Sequence, residues 1–90
     1  MTEVEQDSPF DFPCQFPLKA MGRNIPDLDA IIVSIIRAHV DDLTENAVTT
    51  RLSKGGKFIS ITVEVNAQSK AHLELMYADL NACPHIVMTL

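Results

Sequence analysis

Two adjacent glycines near the middle of the chain, within the stretch RLSKGGKFISITVEV, constrain the fold more than any other feature. Glycine reaches positive φ at little cost, so a two-residue Gly55-Gly56 loop predicts a type I′ turn between two antiparallel strands. This turn sets Leu52 opposite Ile59 and Val48 opposite Val63. The side-chain alternation of the second strand agrees with that register, because aliphatic residues fall on one face and polar residues on the other. The aliphatic face holds Ile59, Ile61, Val63 and Val65.

Two other stretches have the periodicity of amphipathic helices. In the first, Pro26, Asp27 and Asp29 are expected in the opening turn, where proline loses no hydrogen bond and carboxylates favour the helix dipole. The apolar face of this first helix comprises Leu28, Ile31, Ile32, Ile35 and Ile36. The second helix is predicted to follow Ser69 as its N-cap and to end before Pro84. Its apolar face comprises Leu73, Met76, Tyr77 and Leu80.

Two further strands complete the pattern. The first strand is predicted over Phe16 to Met21, with Gly22 ending it, and HIVMTL is predicted to place Ile86, Met88 and Leu90 on one side. The resulting order is strand, helix, strand, strand, helix, strand. This order predicts an α+β, ferredoxin-like βαββαβ domain over residues 13–90, with two helices on one face of a four-stranded antiparallel sheet.

The acidity of the chain is concentrated in its N-terminal residues. The net charge is −5, and Glu3, Glu5, Asp7 and Asp11 lie within residues 1–12, which we expect to form a disordered acidic tail. This segment has no basic region followed by an apolar run, so we expect no signal peptide and a cytoplasmic protein. Cys14 and Cys83 are expected to be reduced thiols, with a bridge between them left open.

Several segments together resemble the YbeD-like family of small bacterial proteins. They are FPLKAMG followed by IPDL, then SKGGKFISITVEVNA, then LELMYADLNACPHIVMTL. Lys19 to Gly22 (K-x-M-G), Ser53 to Gly55 (S-K-G) and the ending I-V-M-T-L carry the resemblance, which extends from about Phe12 to Leu90. It implies a ferredoxin-like fold similar to ACT domains, which are small-molecule sensing modules, and it implies no established activity.

Catalytic chemistry finds little support in these residues. Arg23 after Gly22 is a weak match to the phosphate loop of acylphosphatases, which is the enzymatic alternative. His39, His72 and His85 are scattered, with His39 expected at a helix C-terminus and His72 expected to point to solvent. We therefore predict no catalytic residues, no cofactor and no metal, since Cys83 and His85 alone do not make a closed metal site.

Nucleic-acid binding is a second alternative, through a patch formed by Lys19, Arg51, Lys54 and Lys57. Single-stranded RNA is often bound by bases stacking on aromatic side chains of a sheet. Phe58 is the one aromatic residue expected on the uncovered face, and four cations are few for a phosphate-binding surface. We consider this alternative weaker than protein binding.

The favoured hypothesis is a non-catalytic regulatory or protein-interaction module. Its partner is expected to be another protein or a second copy of the chain, at the sheet face that carries no helix. The expected partner surface comprises Lys19, Met21, Arg51, Phe58, Ser60 and Thr62. By analogy with ACT-like modules, a small metabolite is expected at the loop after the first strand, at Gly22, Arg23, Asn24 and Asp27.

Overall fold

The computed structural model describes residues 11–89, with the exception of the side chain of Glu45. Its strands are β1 (Cys14–Arg23), β2 (Val48–Leu52), β3 (Phe58–Ala67) and β4 (Ile86–Thr89), and its helices are α1 (Leu28–Arg37) and α2 (Lys70–Asn81). A short 3-10 helix, Glu45–Ala47, precedes β2. The four strands form one antiparallel sheet in the order β2-β3-β1-β4. The predicted α+β ferredoxin-like fold is therefore confirmed.

The hydrophobic core lies between the sheet and the two helices. Alternate residues of the central strands are fully buried, as are three residues of each helix. The core comprises Leu18, Ala20, Ile61, Val63, Val65 and Ala67 from the sheet, Leu28, Ile32 and Ile36 from α1, Leu73, Met76 and Leu80 from α2, and Val40. Because strand side chains alternate between faces, the residues between these core positions point to the opposite side of the sheet.

The β2–β3 hairpin has the predicted register, with Leu52 opposite Ile59 and Val48 opposite Val63. Both glycines have positive φ, 89° for Gly55 and 74° for Gly56. The predicted two-residue loop is wrong in one detail, because the turn hydrogen bond runs from the Gly56 N–H to the Ser53 carbonyl. The turn is therefore centred on Lys54 and Gly55, one residue earlier than expected.

The first strand and the first helix have different ends from those predicted. β1 continues through Gly22 to Arg23, because Gly22 is paired within the sheet, opposite Ile59. Helix α1 begins only at Leu28, so Pro26 lies outside the helix, and Asp27 is its N-cap with φ 65° and no side-chain cap hydrogen bond. Asp29 does lie in the first turn, as expected.

Helix α2 begins as the sequence predicts. The Ser69 hydroxyl accepts a hydrogen bond from the backbone N–H of His72 at 3.1 Å, which satisfies one of the free donors of the first turn. The predicted apolar positions Leu73, Met76 and Leu80 are buried, and Tyr77 packs at the edge of the core.

Most of the predicted tail, residues 1–10, lies outside the described residues. Of its last two residues, Phe12 packs against the core cluster and is half-buried. Within residues 11–89, neither helix has the length and apolar character needed to cross a membrane.

Candidate functional site: the open face of the sheet

The side of the sheet opposite the helices, here called the open face, gathers the whole predicted partner surface. Strand pairing places Lys19 beside Thr62, and Met21 beside Ser60. Arg51 pairs with the same Ser60 from the other side. Strand alternation also puts Thr49 and Glu64 on this face. Lys19 and Arg51 are exposed, whereas Met21, Ser60 and Thr62 are half-buried among their neighbours.

Strand β4 adds a methionine that the sequence pattern placed on the wrong side. Gly22 pairs with Ile86, but Met21 pairs with Met88, so a β-bulge occurs at Val87. The extra residue reverses the facing of the residues after it. The prediction that Met88 shares the core side with Ile86 is therefore wrong, and the assignment of Leu90 lies outside the described residues.

Thr89, the residue after Met88, lies on the core side of the sheet, which confirms that Met88 lies on the open face. It pairs with the buried Ala20, and its hydroxyl donates to the Asn81 side-chain oxygen at 3.2 Å at the end of α2. Met88, which precedes it, lies on the open face beside Met21 and is 46% exposed. The two methionines form an apolar pair across β1 and β4, and Val87 next to them is 57% exposed.

Phe58 and Arg23 occupy the hairpin end of the open face. They are directly paired between β1 and β3, and the Arg23 guanidinium lies 5.8 Å from the centroid of the Phe58 ring. This is within the range of a cation–π contact. Arg23, which the sequence assigned to a loop, therefore belongs to the open face, where its guanidinium lies over the aromatic ring.

The four residues predicted to bind a metabolite lie on different surfaces of the domain. Gly22 is buried on the core side of β1, whereas Arg23 lies on the open face. Asn24 anchors the hairpin tip, because its N–H donates to the Lys57 carbonyl and its amide to the Gly56 carbonyl, each at 3.0 Å. Asp27 is exposed at the start of α1.

Gly22 is required by packing at its position. A Cβ added there would lie 2.4 Å from the His85 carbonyl oxygen and 2.8 Å from Leu28 Cδ2. The backbone just before β4 can approach β1 this closely only because residue 22 has no side chain. The sequence did contain this signal, since a glycine inside a strand often marks a bulge or a close backbone approach.

Positive charge is concentrated on the open face and at the hairpin tip. Of the seven basic residues in the chain, five lie there, namely Lys19, Arg23, Arg51, Lys54 and Lys57. Glu64 is the acidic residue that alternation places between β1 and β2 on this face. The helix side carries the opposite excess, with Asp27, Asp29, Asp41, Asp42, Glu74 and Asp79 against Arg37 and Lys70. The open face is thus a basic surface with an apolar patch toward its β4 edge.

The histidines of the helix layer have structural hydrogen bonds. The Gln68 N–H donates to His72 Nδ1 at 3.0 Å, and His72 Nε2 lies 2.9 Å from the His39 carbonyl oxygen. The Nε2 atom must therefore carry the proton. His39 Nε2 in turn lies 2.7 Å from Asp79 Oδ2. The prediction that His72 points to solvent is wrong, because its ring joins α2 to the segment that follows α1.

Within the described part of the chain, no group of three or more histidine, cysteine or acidic side chains is placed to hold a metal ion. Cys14 and Cys83 are free and half-buried. Neither thiol lies among the open-face residues identified above.

The family model described as "Protein of unknown function (DUF493)" matches residues 7–90. Among related proteins, the UPF0250 protein of Chromobacterium violaceum is 40% identical over 86 residues, covering 96% of this chain and 97% of the relative. The UPF0250 protein of Hahella chejuensis is 32% identical over 91 residues and covers 100% of both chains.

Solved structures show the same fold at low sequence identity. Protein HP0495 from H. pylori superimposes with a TM-score of 0.72 at 14% identity, covering 100% of this chain and 94% of the other. The C-terminal domain of the MgtC protein from Mycobacterium tuberculosis gives a TM-score of 0.64 at 19% identity, covering 90% and 88%. The family model and the near full-length relatives confirm the resemblance noted in the sequence: the chain belongs to the DUF493 family of YbeD-like UPF0250 proteins.

Proposed function

We propose that the protein is a non-catalytic interaction module, with a regulatory role, that binds a partner protein through the open face. The observation that carries this proposal is the Met21–Met88 pair, which lies toward the β4 edge of a sheet face that no described residue covers, with Lys19 and Arg23 on either side of Met21 along β1. Methionine side chains adapt to irregular partner surfaces. Apolar side chains bordered by charged ones are common in protein interfaces.

The contacts of Phe58 favour a protein over a nucleic acid. Proteins bind single-stranded nucleic acids by stacking the bases on the free face of an aromatic side chain. Here the guanidinium of Arg23 lies over the Phe58 ring at 5.8 Å. The open face also presents two adjacent methionines, which suit an apolar partner side chain better than a phosphate.

The loop after β1 gives less support to the enzymatic and metabolite-sensing alternatives. A phosphate cradle needs free backbone N–H groups. The N–H of Asn24 is already bonded to Lys57, and that of Ile25 to the Arg23 carbonyl at 2.8 Å. The Asn24 side chain is also engaged, with Gly56.

A cytoplasmic site of action is supported by the two free cysteines, since thiols persist in reducing compartments.

Site-specific photo-crosslinking in the native host tests the proposal. A photoreactive phenylalanine analogue is placed at Met88 on the open face, or at Leu75 on the helix side as the matched control. The two residues are 46% and 57% exposed, so both tolerate a bulky analogue. We expect a discrete protein adduct from position 88, absent from position 75 and lost when Arg51→Glu is added.

Three outcomes would contradict the proposal. Equal adducts from both positions would mean that the open face has no preference for a partner. A nuclease-sensitive adduct at position 88 would favour nucleic acid instead. A saturable rise in melting temperature with a metabolite, abolished by Asn24→Ala and not by Arg51→Glu, would favour the sensor.

A further inference from the structure

Among the described residues, none pairs with the outer edge of strand β2, which is exposed on the helix side of the sheet. Thr50 and Leu52 pair with the buried side of β3, at Ile61 and Ile59, yet Thr50 is exposed and Leu52 is 56% exposed. A groove of about 470 Å³ separates α1 from this edge. Its lining residues are Asp29, Ala30, Val33, Arg37, Thr44, Val48 and Thr50.

The backbone of β2 also offers hydrogen-bonding groups at this edge that no described strand pairs with. The Ser53 N–H donates to the Phe58 carbonyl at 2.9 Å, so residues 53 and 58 form a hydrogen-bonded pair. Antiparallel pairs alternate between hydrogen-bonded and non-hydrogen-bonded types. The N–H and C=O groups of Val48, Thr50 and Leu52 therefore point away from β3, toward the open edge. Such an edge is a template for another strand.

Both elements that border the groove are complementary to a second copy of themselves. If β2 pairs antiparallel with itself about Thr50, the exposed Leu52 meets Val48 of the second copy, and Arg51 meets Thr49. Like charges are not brought opposite each other in this register. The groove-lining stripe of α1 is also complementary to a second copy of itself. Its residues Asp29, Val33 and Arg37 are spaced one helical turn apart. Reversed about Val33, this stripe sets Asp29 toward Arg37 of the second copy.

We propose that two copies of the chain associate through their β2 edges into a symmetric dimer with one continuous sheet. The pairs Val48–Leu52, Thr50–Thr50 and Leu52–Val48 each exchange both backbone hydrogen bonds. The two grooves merge beneath the two copies of α1, with Asp29 and Arg37 at each end. A two-fold axis perpendicular to the sheet closes the assembly, so growth stops at two copies.

The dimer is independent of the partner proposed for the open face. The same axis leaves all four helices on one side and joins the two open faces into one surface on the other. Arg51 and Thr49 of each copy lie at the junction. Loss of dimerisation and loss of crosslinking at Met88 are therefore separate measurements, and either can fail alone.

Sedimentation velocity over a concentration series tests this association. We expect a mass twice that of the 10.0 kDa chain, with no larger species. Thr50→Pro removes an outward-pointing N–H and leaves the β3 pairing in place, so it should give a folded monomer. Thr50→Val is the matched control and should remain dimeric. Leu52→Lys should weaken association at least tenfold. The variant should remain folded, because Leu52 is already exposed in the single chain.

A charge exchange provides the second, more specific measurement. Asp29→Arg alone and Arg37→Glu alone each place like charges opposite one another and should weaken the dimer, whereas the double variant should restore it. Far-ultraviolet circular dichroism verifies that every variant is folded. A wild-type chain that stays monomeric at all concentrations would overturn the proposal. So would a dimer that is unaffected by Thr50→Pro and by both single charge reversals, since its interface would lie elsewhere.

Discussion

Replacement of Gly22 by alanine should destabilise the protein far more than a one-carbon change usually does. The added Cβ would lie 2.4 Å from the carbonyl oxygen of His85, whereas ordinary contact begins near 3.4 Å, so the backbone before β4 must retreat by about 1 Å. Leu28 Cδ2, at 2.8 Å, blocks the other direction, and Leu28 is only 1% exposed. Neither obstacle is a flexible side-chain end that can move into solvent.

The magnitude follows from the two contacts. Overpacking a well-packed interior costs about 1–3 kcal/mol, and a clash with backbone belongs at the upper limit. We expect Gly22→Ala to lose about 3 kcal/mol in urea denaturation followed by circular dichroism. For a domain of this size, that loss corresponds to a fall of about 12–24 °C in Tm.

Gly55→Ala is the matched control for the loss of a glycine. Nothing lies within 4 Å of its added Cβ, so only the positive φ of 89° opposes alanine. We expect a loss of about 1 kcal/mol there. A Gly22→Ala variant within 1 kcal/mol of the wild type, or no more affected than Gly55→Ala, would refute the close approach of the two backbones at the bulge.

Three further predictions concern single elements. Ser69→Ala removes the side-chain cap of α2 and should cost about 1 kcal/mol in the same assay, whereas Ser69→Asp should retain most of the stability; equal losses in both would contradict the capping role. Ile61→Ala leaves a cavity at a position that is 0% exposed and should cost about 3–4 kcal/mol, against less than about 1 kcal/mol for Thr50→Ala on the exposed edge. Burial raises the pKa of Tyr77 above its ordinary value of 10.0, so its neutral phenol stabilises the folded state below pH 10.0 and that contribution is lost as the pH rises through the higher folded-state pKa. The unfolding free energy of the wild type should therefore decline more steeply at alkaline pH than that of Tyr77→Phe, and parallel pH profiles would contradict this assignment.

The hairpin shows why much of this fold can be predicted from sequence. The Gly55-Gly56 pair and the strict alternation of β3 are local signals, and they agree on one register, which the structure confirms. The two helices can be predicted equally well from the sequence, because the apolar face of each must point to one core. The facing of four of the six residues predicted for the partner surface, Arg51, Phe58, Ser60 and Thr62, follows directly from that register.

The rest depends on tertiary contacts that no local pattern contains. HIVMTL alternates as a regular strand, yet the approach of His85 to Gly22 and the bulge at Val87 turn Met88 to the open face. Arg23 was assigned to a loop because Gly22 was expected to end β1. His72 was expected in solvent because its partners, Gln68 and the His39 carbonyl, lie in segments that meet it only after folding.

Asn24 ties the hairpin tip to the body of the domain, through Lys57 with its backbone and through Gly56 with its amide. The tip therefore cannot move independently of the domain, because Asn24 holds it to the segment between β1 and α1. A force applied to the lysines at the tip is therefore transmitted through both hydrogen bonds of Asn24 toward the start of the helix. A molecule that grips the hairpin would consequently pull on both layers of the domain at once.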